Sequence, residues 1–188
     1  MRLETKRLVL RDWESADIYP LIENINNLKV SQNLSVVVFP YAVKDAEWFI
    51  DHCKSNCAEN PRKSYNFAIE LRAEKKPIGG TGLAKVDLAV SSATLGYWLG
   101  EKYWRQGIMS EALKAVLKFF FEELKFNRIE AGAFVENPAS ARLLEKLGFV
   151  KEGFLRQSVG CKATGKVHDE FIYAMLKEDY LKAKNSWN

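Results

Sequence analysis

A change of periodicity near the middle of the chain limits the folds that this sequence can adopt. Before residue 100, three β-branched or aromatic segments are separated only by short polar connections, which is typical of antiparallel hairpins. These segments are Tyr65–Leu71, Ile78–Val86 and Ala93–Leu99. Between Gly107 and Phe126, polar residues recur every three or four positions, which predicts one exposed helix face. A β-meander that leads into a long amphipathic helix requires that helix to pack on the sheet.

The remaining segments complete a mixed arrangement of helices and strands. Strands are predicted at Leu8–Leu10, Arg128–Val135, Phe149–Val159 and Val167–Leu176, and helices over about residues 14–28, 43–58 and 137–147. The last helix is well delimited, since Asn137 suits its N-cap, Pro138 its first position and Gly148 its end. No repeat or linker divides the chain, so we predict a single domain over residues 1–188 of the α/β class, with a mixed sheet flanked by helices.

Composition and charge exclude several classes of protein. With 28 Lys and Arg against 24 Asp and Glu among 188 residues, the formal net charge is +4, and no dense basic run indicates direct nucleic-acid binding. The apolar runs are far shorter than the roughly 20 residues that span a bilayer. The first residues mix acidic and basic side chains without a long apolar segment, so we expect no secretory signal, no membrane association and a cytoplasmic location.

Four residues are candidates for a zinc site: His52, Cys53, Cys57 and Cys161. Structural zinc usually binds tight Cys pairs, whereas a spacing of four on a predicted amphipathic helix is more typical of packing. We therefore expect three free thiols and no metal.

The connection between residues 99 and 108 is the first candidate site. A bend from Gly100 to Gly107 precedes a helix that begins near Ile108, and such a unit can bind an anion, because the first N–H groups of a helix lack internal partners. Gly107 would let a phosphate approach the backbone, while Arg105 and Ser110 would add a charge and a hydroxyl donor. The alternative is an ordinary strand-to-helix connection whose glycine only relieves steric strain.

A second candidate site begins at Asn137, where a predicted strand gives way to a short helix. If the strands near residues 97 and 132 are neighbours that diverge at their carboxyl ends, unpaired N–H and C=O groups line the gap. An extended amide such as pantetheine would bind there as a false strand. The alternatives are that Asn137 only caps its helix and that Ser140 lies in the first turn without a function.

Three sequence runs resemble the GNAT superfamily of acetyl-CoA-dependent N-acetyltransferases: Leu95–Gly100, Tyr103–Leu113 and Asn137–Phe149. Thr5–Leu8, Phe39–Tyr41 and Gly165–Tyr173 further resemble the branch that contains the ribosomal-protein N-terminal acetyltransferases. The resemblance extends from about Leu3 to Leu176, and the motifs are specific only as a set. It implies a seven-stranded mixed sheet that is splayed between its fourth and fifth strands and holds acetyl-CoA in the gap.

The resemblance also implies which residues contact acetyl-CoA. The pyrophosphate would lie on the backbone from Arg105 to Ser110, with Asn137 and Ser140 facing the pantetheine and the thioester. The full set of implied contacts is Trp98, Leu99, Gly100, Arg105, Gln106, Gly107, Ile108, Met109, Ser110, Asn137 and Ser140. The chain departs from the superfamily pattern at two places: Trp104 and Met109 replace residues of the pyrophosphate motif, and Leu144 lies where a general-acid tyrosine is frequent.

The catalytic residues that we infer are Ser140, Asn137 and Glu101. An amine must lose a proton before it attacks the thioester, and both the oxyanion and the departing thiolate must be stabilised. As the resemblance implies, the Ser140 hydroxyl would replace the missing tyrosine as proton donor to the thiolate. A backbone N–H near Leu99 or Gly100 would bind the oxyanion, and Glu101 and Glu130 are the alternatives for the base.

The expected acceptor is a primary amine, in the first place the N-terminal α-amine of a ribosomal protein. Phe39, Tyr41 and Trp13 would line a slot for an extended peptide, although aromatic residues at these spacings also suit a core. Two alternatives stay open: an acetyltransferase for a polyamine, amino acid or antibiotic amine, and a non-catalytic acyl-CoA-binding module. A polycation would need several carboxylates around its pocket. The expected partners are acetyl-CoA and the acceptor, with the chain a monomer or a homodimer.

Overall fold

The computed structural model describes residues 1–187, which form one mixed sheet with helices on both faces. The strands are β1 Arg2–Glu4, β2 Leu8–Arg11, β3 Tyr65–Leu71, β4 Lys76–Asp87, β5 Ser92–Leu99, β6 Arg128–Phe134, β7 Val150–Gly160 and β8 Val167–Leu176. The helices are α1 Ile18–Ile25, α2 Leu28–Ser31, α3 Val43–Ala58, α4 Ile108–Lys118, α5 Pro138–Leu147 and α6 Lys177–Lys184. The strand order is β1-β2-β3-β4-β5-β6-β8-β7.

The predicted α/β class is confirmed, with eight strands where the resemblance implied seven. The additional strand, β1, pairs antiparallel with β2 at the edge of the sheet, from Arg2 opposite Arg11 to Glu4 opposite Val9. It has only three residues, which are too few to show the alternation of apolar and polar side chains that identifies a strand. When counting starts at β2, the splayed pair of strands is the fourth and fifth, as implied.

The gap between β5 and β6 positions the candidate site. These two strands run parallel and pair only over three positions at their amino ends. Beyond that point β5 stays paired with β4 as far as Leu99, and β6 stays paired with β8 as far as Phe134. Each strand is therefore held by its outer neighbour while the two diverge. We call the opening between residues 95–99 and residues 131–134 the notch.

Two hydrophobic cores lie on opposite faces of the sheet, because successive side chains of a strand point to opposite sides. On β3, Phe67 and Ile69 belong to the first core, whereas Ala68 between them belongs to the second. The first core includes residues of α4, α5 and α6, and the second includes residues of α1, α2 and α3. The two faces of the notch therefore adjoin different cores.

The long helix of the second half ends earlier than its periodicity predicts. After Lys118 the chain continues as a wider π-helical turn over Phe119–Glu123, in which Leu124 N–H donates to the Phe119 carbonyl at 3.1 Å. All three consecutive phenylalanines of this turn are buried. A regular α-helix buries one apolar face and would leave one of three consecutive side chains exposed. The wider π-helical turn instead allows all three phenylalanines to be buried.

No helix within residues 1–187 has both the length and the apolar character needed to cross a bilayer. No group of three His, Cys, Asp or Glu side chains in that range is placed to hold a metal ion. The three thiols are free, and Cys53 is buried in the second core, so packing accounts for its place on α3.

Phe120→Ala should destabilise the protein by about 3–5 kcal/mol, because it removes a fully buried ring that contacts Tyr65 and stacks on Phe126. Equilibrium unfolding in urea measures the change. Val36→Ala is the control, since Val36 is 72% exposed and its truncation should shift the free energy of unfolding by no more than about 0.5 kcal/mol. Equal midpoints for the two variants would contradict the assignment of Phe120 to the core.

Candidate active site

Six consecutive backbone N–H groups, from Arg105 to Ser110, find no hydrogen-bond acceptor within residues 1–187. We call this segment the anion loop; it follows β5 and includes the first turn of α4. Arg105 and Gly107 have φ of 59° and 72°, a left-handed conformation that glycine adopts at little cost. Such turns direct successive N–H groups towards one concave side, and the helix dipole adds positive charge there. The geometry suits a bound anion.

Side chains fix the anion loop from both ends. Trp104 Nε1 donates to the Leu99 carbonyl O at 2.7 Å, which ties the loop to the carboxyl end of β5. On the other side, Arg7 Nη1 donates to the Gln106 carbonyl O at 2.9 Å, and Arg7 Nε pairs with Glu111 at 2.6 Å. The loop is therefore held in shape by protein contacts alone, which reduces the entropy that ligand binding costs.

Met109 departs from the superfamily pattern without obstructing the anion loop. Its side chain is 9% exposed and packs in the first core together with Ile108. Both residues therefore present only their backbone N–H groups to a ligand. Trp104, the other departure in this motif, supplies the hydrogen bond to Leu99.

Asn137 caps α5. Its Oδ1 accepts a hydrogen bond from the Ser140 N–H at 3.1 Å, and Pro138 occupies the first helical position. Its own backbone N–H donates to the Phe134 carbonyl at 2.8 Å, which places the start of α5 directly at the end of β6. Asn137 thus caps its helix, as the alternative interpretation of the sequence predicted. This cap also fixes Ser140 beside the notch.

A hydrogen bond between Tyr97 on β5 and Ser140 on α5 bridges the two sides of the notch, with 2.7 Å between the hydroxyl oxygens. Burial raises the pKa of Tyr97 to about 12, and the hydrogen bond with Ser140 acts in the opposite direction. The phenol therefore keeps its proton at neutral pH. Tyr97 is not among the residues predicted from sequence, although its alternation with Leu95 and Leu99 places a phenol on the apolar face of β5.

The two carboxylates predicted as candidate bases are both engaged by cations. Glu101 pairs with Lys29 Nζ at 2.6 Å and accepts from Asn27 Nδ2 at 2.7 Å, and these two hydrogen bonds lower its pKa. A lower pKa makes Glu101 a weaker base at neutral pH. Glu130 pairs with Arg128 at 2.8 Å. The structure does not support Glu101 as the base; its contacts connect the turn after β5 to α2.

Of the three aromatic residues predicted to line an acceptor slot, only Phe39 lies at the surface. It is 40% exposed, whereas Trp13 and Tyr41 are 3% and 7% exposed and belong to the second core. The Tyr41 hydroxyl donates to the Asp45 carbonyl at 3.1 Å. The assignment of Trp13 and Tyr41 to a slot is therefore corrected, because packing occupies both side chains.

The end of β5 divides its contacts between the sheet and the notch. Gly100 N–H donates to the Ile78 carbonyl on β4 at 2.9 Å, so it is not free for a ligand. Because N–H groups alternate in direction along an antiparallel strand, the N–H of Leu99 points away from β4 and towards the notch. The Trp98 side chain packs at the edge of the second core. Of the two N–H groups predicted to bind an oxyanion, the structure favours that of Leu99.

Residues 7–150 match a family model described as an acetyltransferase (GNAT) domain. The chain is 32% identical over 178 residues to p20 of Bacillus licheniformis, an uncharacterized N-acetyltransferase, covering 95% of this chain and 97% of that protein. It is 28% identical over 187 residues to the ribosomal protein uS5-alanine N-acetyltransferase of Escherichia coli strain K12. This match covers 96% of this chain and 93% of that protein.

A solved structure has the same fold. The spermidine N-acetyltransferase of Vibrio cholerae in complex with CoA and spermine superposes with a TM-score of 0.79, covering 94% of this chain and 99% of that one. The two sequences are 22% identical, so this likeness concerns the fold alone.

Tyr97→Phe should reduce the loss of stability at alkaline pH. The folded protein keeps the Tyr97 proton up to a pKa of about 12, whereas an unfolded chain releases it near pH 10. Between these values the unfolded chain binds fewer protons, so stability falls as the pH rises through this window. Urea unfolding across about pH 10–12 should show the wild type losing about 2 kcal/mol more than the variant. Identical pH dependence of the two proteins would contradict the burial of this phenol.

Proposed function

We propose that this chain, which belongs to the GNAT acetyltransferase family and is an acyltransferase, transfers the acetyl group of acetyl-CoA to the N-terminal α-amine of a protein, in the first place a ribosomal protein. The observation that carries the site assignment is the notch, since it brings the anion loop and the Tyr97–Ser140 pair to one end of β5. The Escherichia coli relative named for the alanine of uS5 supports this acceptor.

The anion loop would hold the pyrophosphate of acetyl-CoA. Its six free N–H groups supply donors, and Arg105 adds a charge. The pantetheine would then extend into the notch, where its amides meet the unpaired edges of β5 and β6 as a false strand. Donors available there include the Leu99 N–H and the side-chain amide of Asn137. This path leads the thioester to the Tyr97–Ser140 pair.

The Tyr97–Ser140 pair would serve the leaving group. The Leu99 N–H binds the carbonyl oxygen as negative charge develops on it. When the amine nitrogen has bonded to the carbonyl carbon and the C–S bond breaks, Ser140 Oγ gives its proton to sulfur and takes the proton of Tyr97, which solvent restores. The phenol that the superfamily often carries at the position of Leu144 is supplied here from β5.

The distribution of carboxylates favours an α-amine over a polycation. Glu101 is neutralised by Lys29, and Glu130 by Arg128. A polyamine carries several positive charges and needs several free carboxylates, whereas an N-terminal amine carries one charge and brings a backbone that can pair with strand edges. The location we propose is the cytoplasm, where ribosomal proteins are made.

Ser140→Ala should lower kcat by roughly 10²-fold or more, because the departing sulfur loses its proton donor. The Kd for acetyl-CoA should stay unchanged, since the anion loop is intact. Calorimetry with acetyl-CoA and an assay of thiol release measure the two quantities. Ser55→Ala is the matched control, as Ser55 is exposed on α3 and, among residues 1–187, its hydroxyl bonds only the Asp51 carbonyl. Unchanged turnover in Ser140→Ala would remove Ser140 from the mechanism.

A panel of acceptors tests the proposed substrate class. The wild-type protein should release CoA with peptides that carry a free N-terminal Ala or Ser, and not with the same peptides blocked at the N-terminus, even where they contain lysine. Faster release with spermidine than with any peptide would replace the proposal by a polyamine acetyltransferase. Tight binding of acetyl-CoA without release for any amine would identify a non-catalytic module.

A further inference from the structure

We propose that Glu170 on β8 binds the ammonium group of the acceptor and takes its proton. The inference rests on the proposed function and supplies the base that Glu101, engaged by Lys29, does not. It assigns a catalytic role to a residue on the opposite side of the notch from Ser140.

Glu170 and the Tyr97–Ser140 pair lie on opposite faces of the sheet. Along β8, Tyr173 and Met175 belong to the first core, so the alternation of side chains turns Glu170 to the other face, on the side of α1 to α3. Tyr97 packs against the first core, on the side of α4 and α5. A thioester in the notch would therefore have its leaving sulfur near one face and be open to attack from the other.

The Glu170 carboxylate lies over β6 at Gly132. In register, Glu170 opposes Phe134, and a Cβ at residue 132 would overlap Glu170 Oε1. Gly132 is two residues beyond Glu130, the last residue of β6 that pairs with β5. The carboxylate thus occupies the space of a missing side chain on the strand that borders the notch, and any larger residue at 132 would displace it.

Glu170 has no hydrogen-bond donor or ion-pair partner within residues 1–187, although its side chain is only partly exposed. Burial raises its pKa above the usual range, while the charge of Lys85 on β4 acts to lower it. A partly buried carboxylate without a donor in the protein depends on solvent or a ligand for its hydrogen bonds. An ammonium group supplies both a donor and the opposite charge.

The same face of β8 carries a second unsatisfied group. His168, two residues before Glu170, has a buried Nε2 with no partner in the described chain. Its ring stacks on Phe134 with centroids 4.6 Å apart, and its Nδ1 lies 3.2 Å from Glu136. One ring nitrogen of His168 thus has a partner among residues 1–187 and the other is buried without one there, two residues from the unpartnered carboxylate of Glu170.

The proton transfers of the reaction balance when Glu170 accepts a proton on one face of the sheet and the Tyr97–Ser140 pair donates one on the other face. The nitrogen loses two protons as the ammonium becomes an amide. The first goes to Glu170, which frees the lone pair that bonds to the carbonyl carbon, and Glu170 then returns it to solvent. The second goes to solvent, which restores the Tyr97 proton after Ser140 has protonated the thiolate. CoA leaves as a thiol, and one proton is released for each acetyl group transferred.

The single carboxylate of Glu170 and the nearby charge of Lys85 favour an acceptor with one positive charge. One carboxylate neutralises one ammonium, and Lys85 repels a second positive charge. An α-amine has a pKa of about 8, against about 10.4 for a lysine amine, so a carboxylate removes its proton at lower cost. Both considerations favour the N-terminus of a peptide over a polyamine or a lysine side chain.

Glu170→Gln is the decisive variant, because it preserves the shape of the side chain and removes the base. At about pH 7, kcat/KM for a peptide with a free N-terminus should fall by roughly 10²–10⁴-fold. The deficit should shrink as the pH rises above about 8, where the α-amine loses its proton unaided. Gly132→Ala, which keeps the carboxylate but forces it aside, should lower kcat/KM in the same direction.

Two controls test whether the loss of kcat/KM in Glu170→Gln comes from the missing base. Glu123→Gln changes an exposed carboxylate in the turn after α4 and should leave kcat/KM unchanged. The calorimetric Kd for acetyl-CoA should be the same in all variants. Wild-type kcat/KM in Glu170→Gln, or a deficit that does not vary with pH, would overturn the inference and leave the proposed function standing. Absence of transfer by the wild type to any amine would contradict the proposed function and this inference together.

Discussion

The divergence of β5 from β6 is set by competition for backbone hydrogen bonds. Each strand keeps its outer neighbour, β4 or β8, and the two separate beyond Thr94 and Glu130. Unpaired backbone groups cost free energy unless solvent or a ligand satisfies them, so the notch and the anion loop are regions where stability is given up. Contacts from Trp104 and Arg7 keep the loop in its binding shape. Tyr97, Ser140 and the Leu99 N–H all lie at this one opening.

Sequence periodicity predicts the bounds of an element best where the element contains several repeats of its own period. The bounds of α3, β3 and β8 agree with the prediction because each contains several repeats of its own period. Arg2–Glu4 and Leu28–Ser31, with three and four residues, contain too few to be recognised. The π-helical turn at Phe119–Glu123 could not be predicted from the sequence for a different reason. Apolar residues continue through it, and only their packing reveals the change of winding.

A site residue could be predicted from the sequence where its own backbone conformation determines its role. It could not be predicted where the role depends on a contact between distant segments. Gly107 belongs to the first kind, because its left-handed φ is a local property. The Tyr97–Ser140 hydrogen bond joins residues 43 positions apart, and the approach of Glu170 to Gly132 depends on the register of β6 and β8. No local pattern encodes such registers. Burial of an aromatic residue such as Trp13 is likewise decided by tertiary packing.

The sheet divides the interior so that adjacent residues of one strand, such as Phe67 and Ala68, support different sides of the molecule. Substitutions among the helices of the second core can therefore reshape the surface that meets an acceptor without disturbing the packing behind the anion loop. A protein organised in this way can diverge in what it modifies while retaining the same acyl donor. The partition of its interior thus allows acceptor selectivity to change independently of acyl-donor binding.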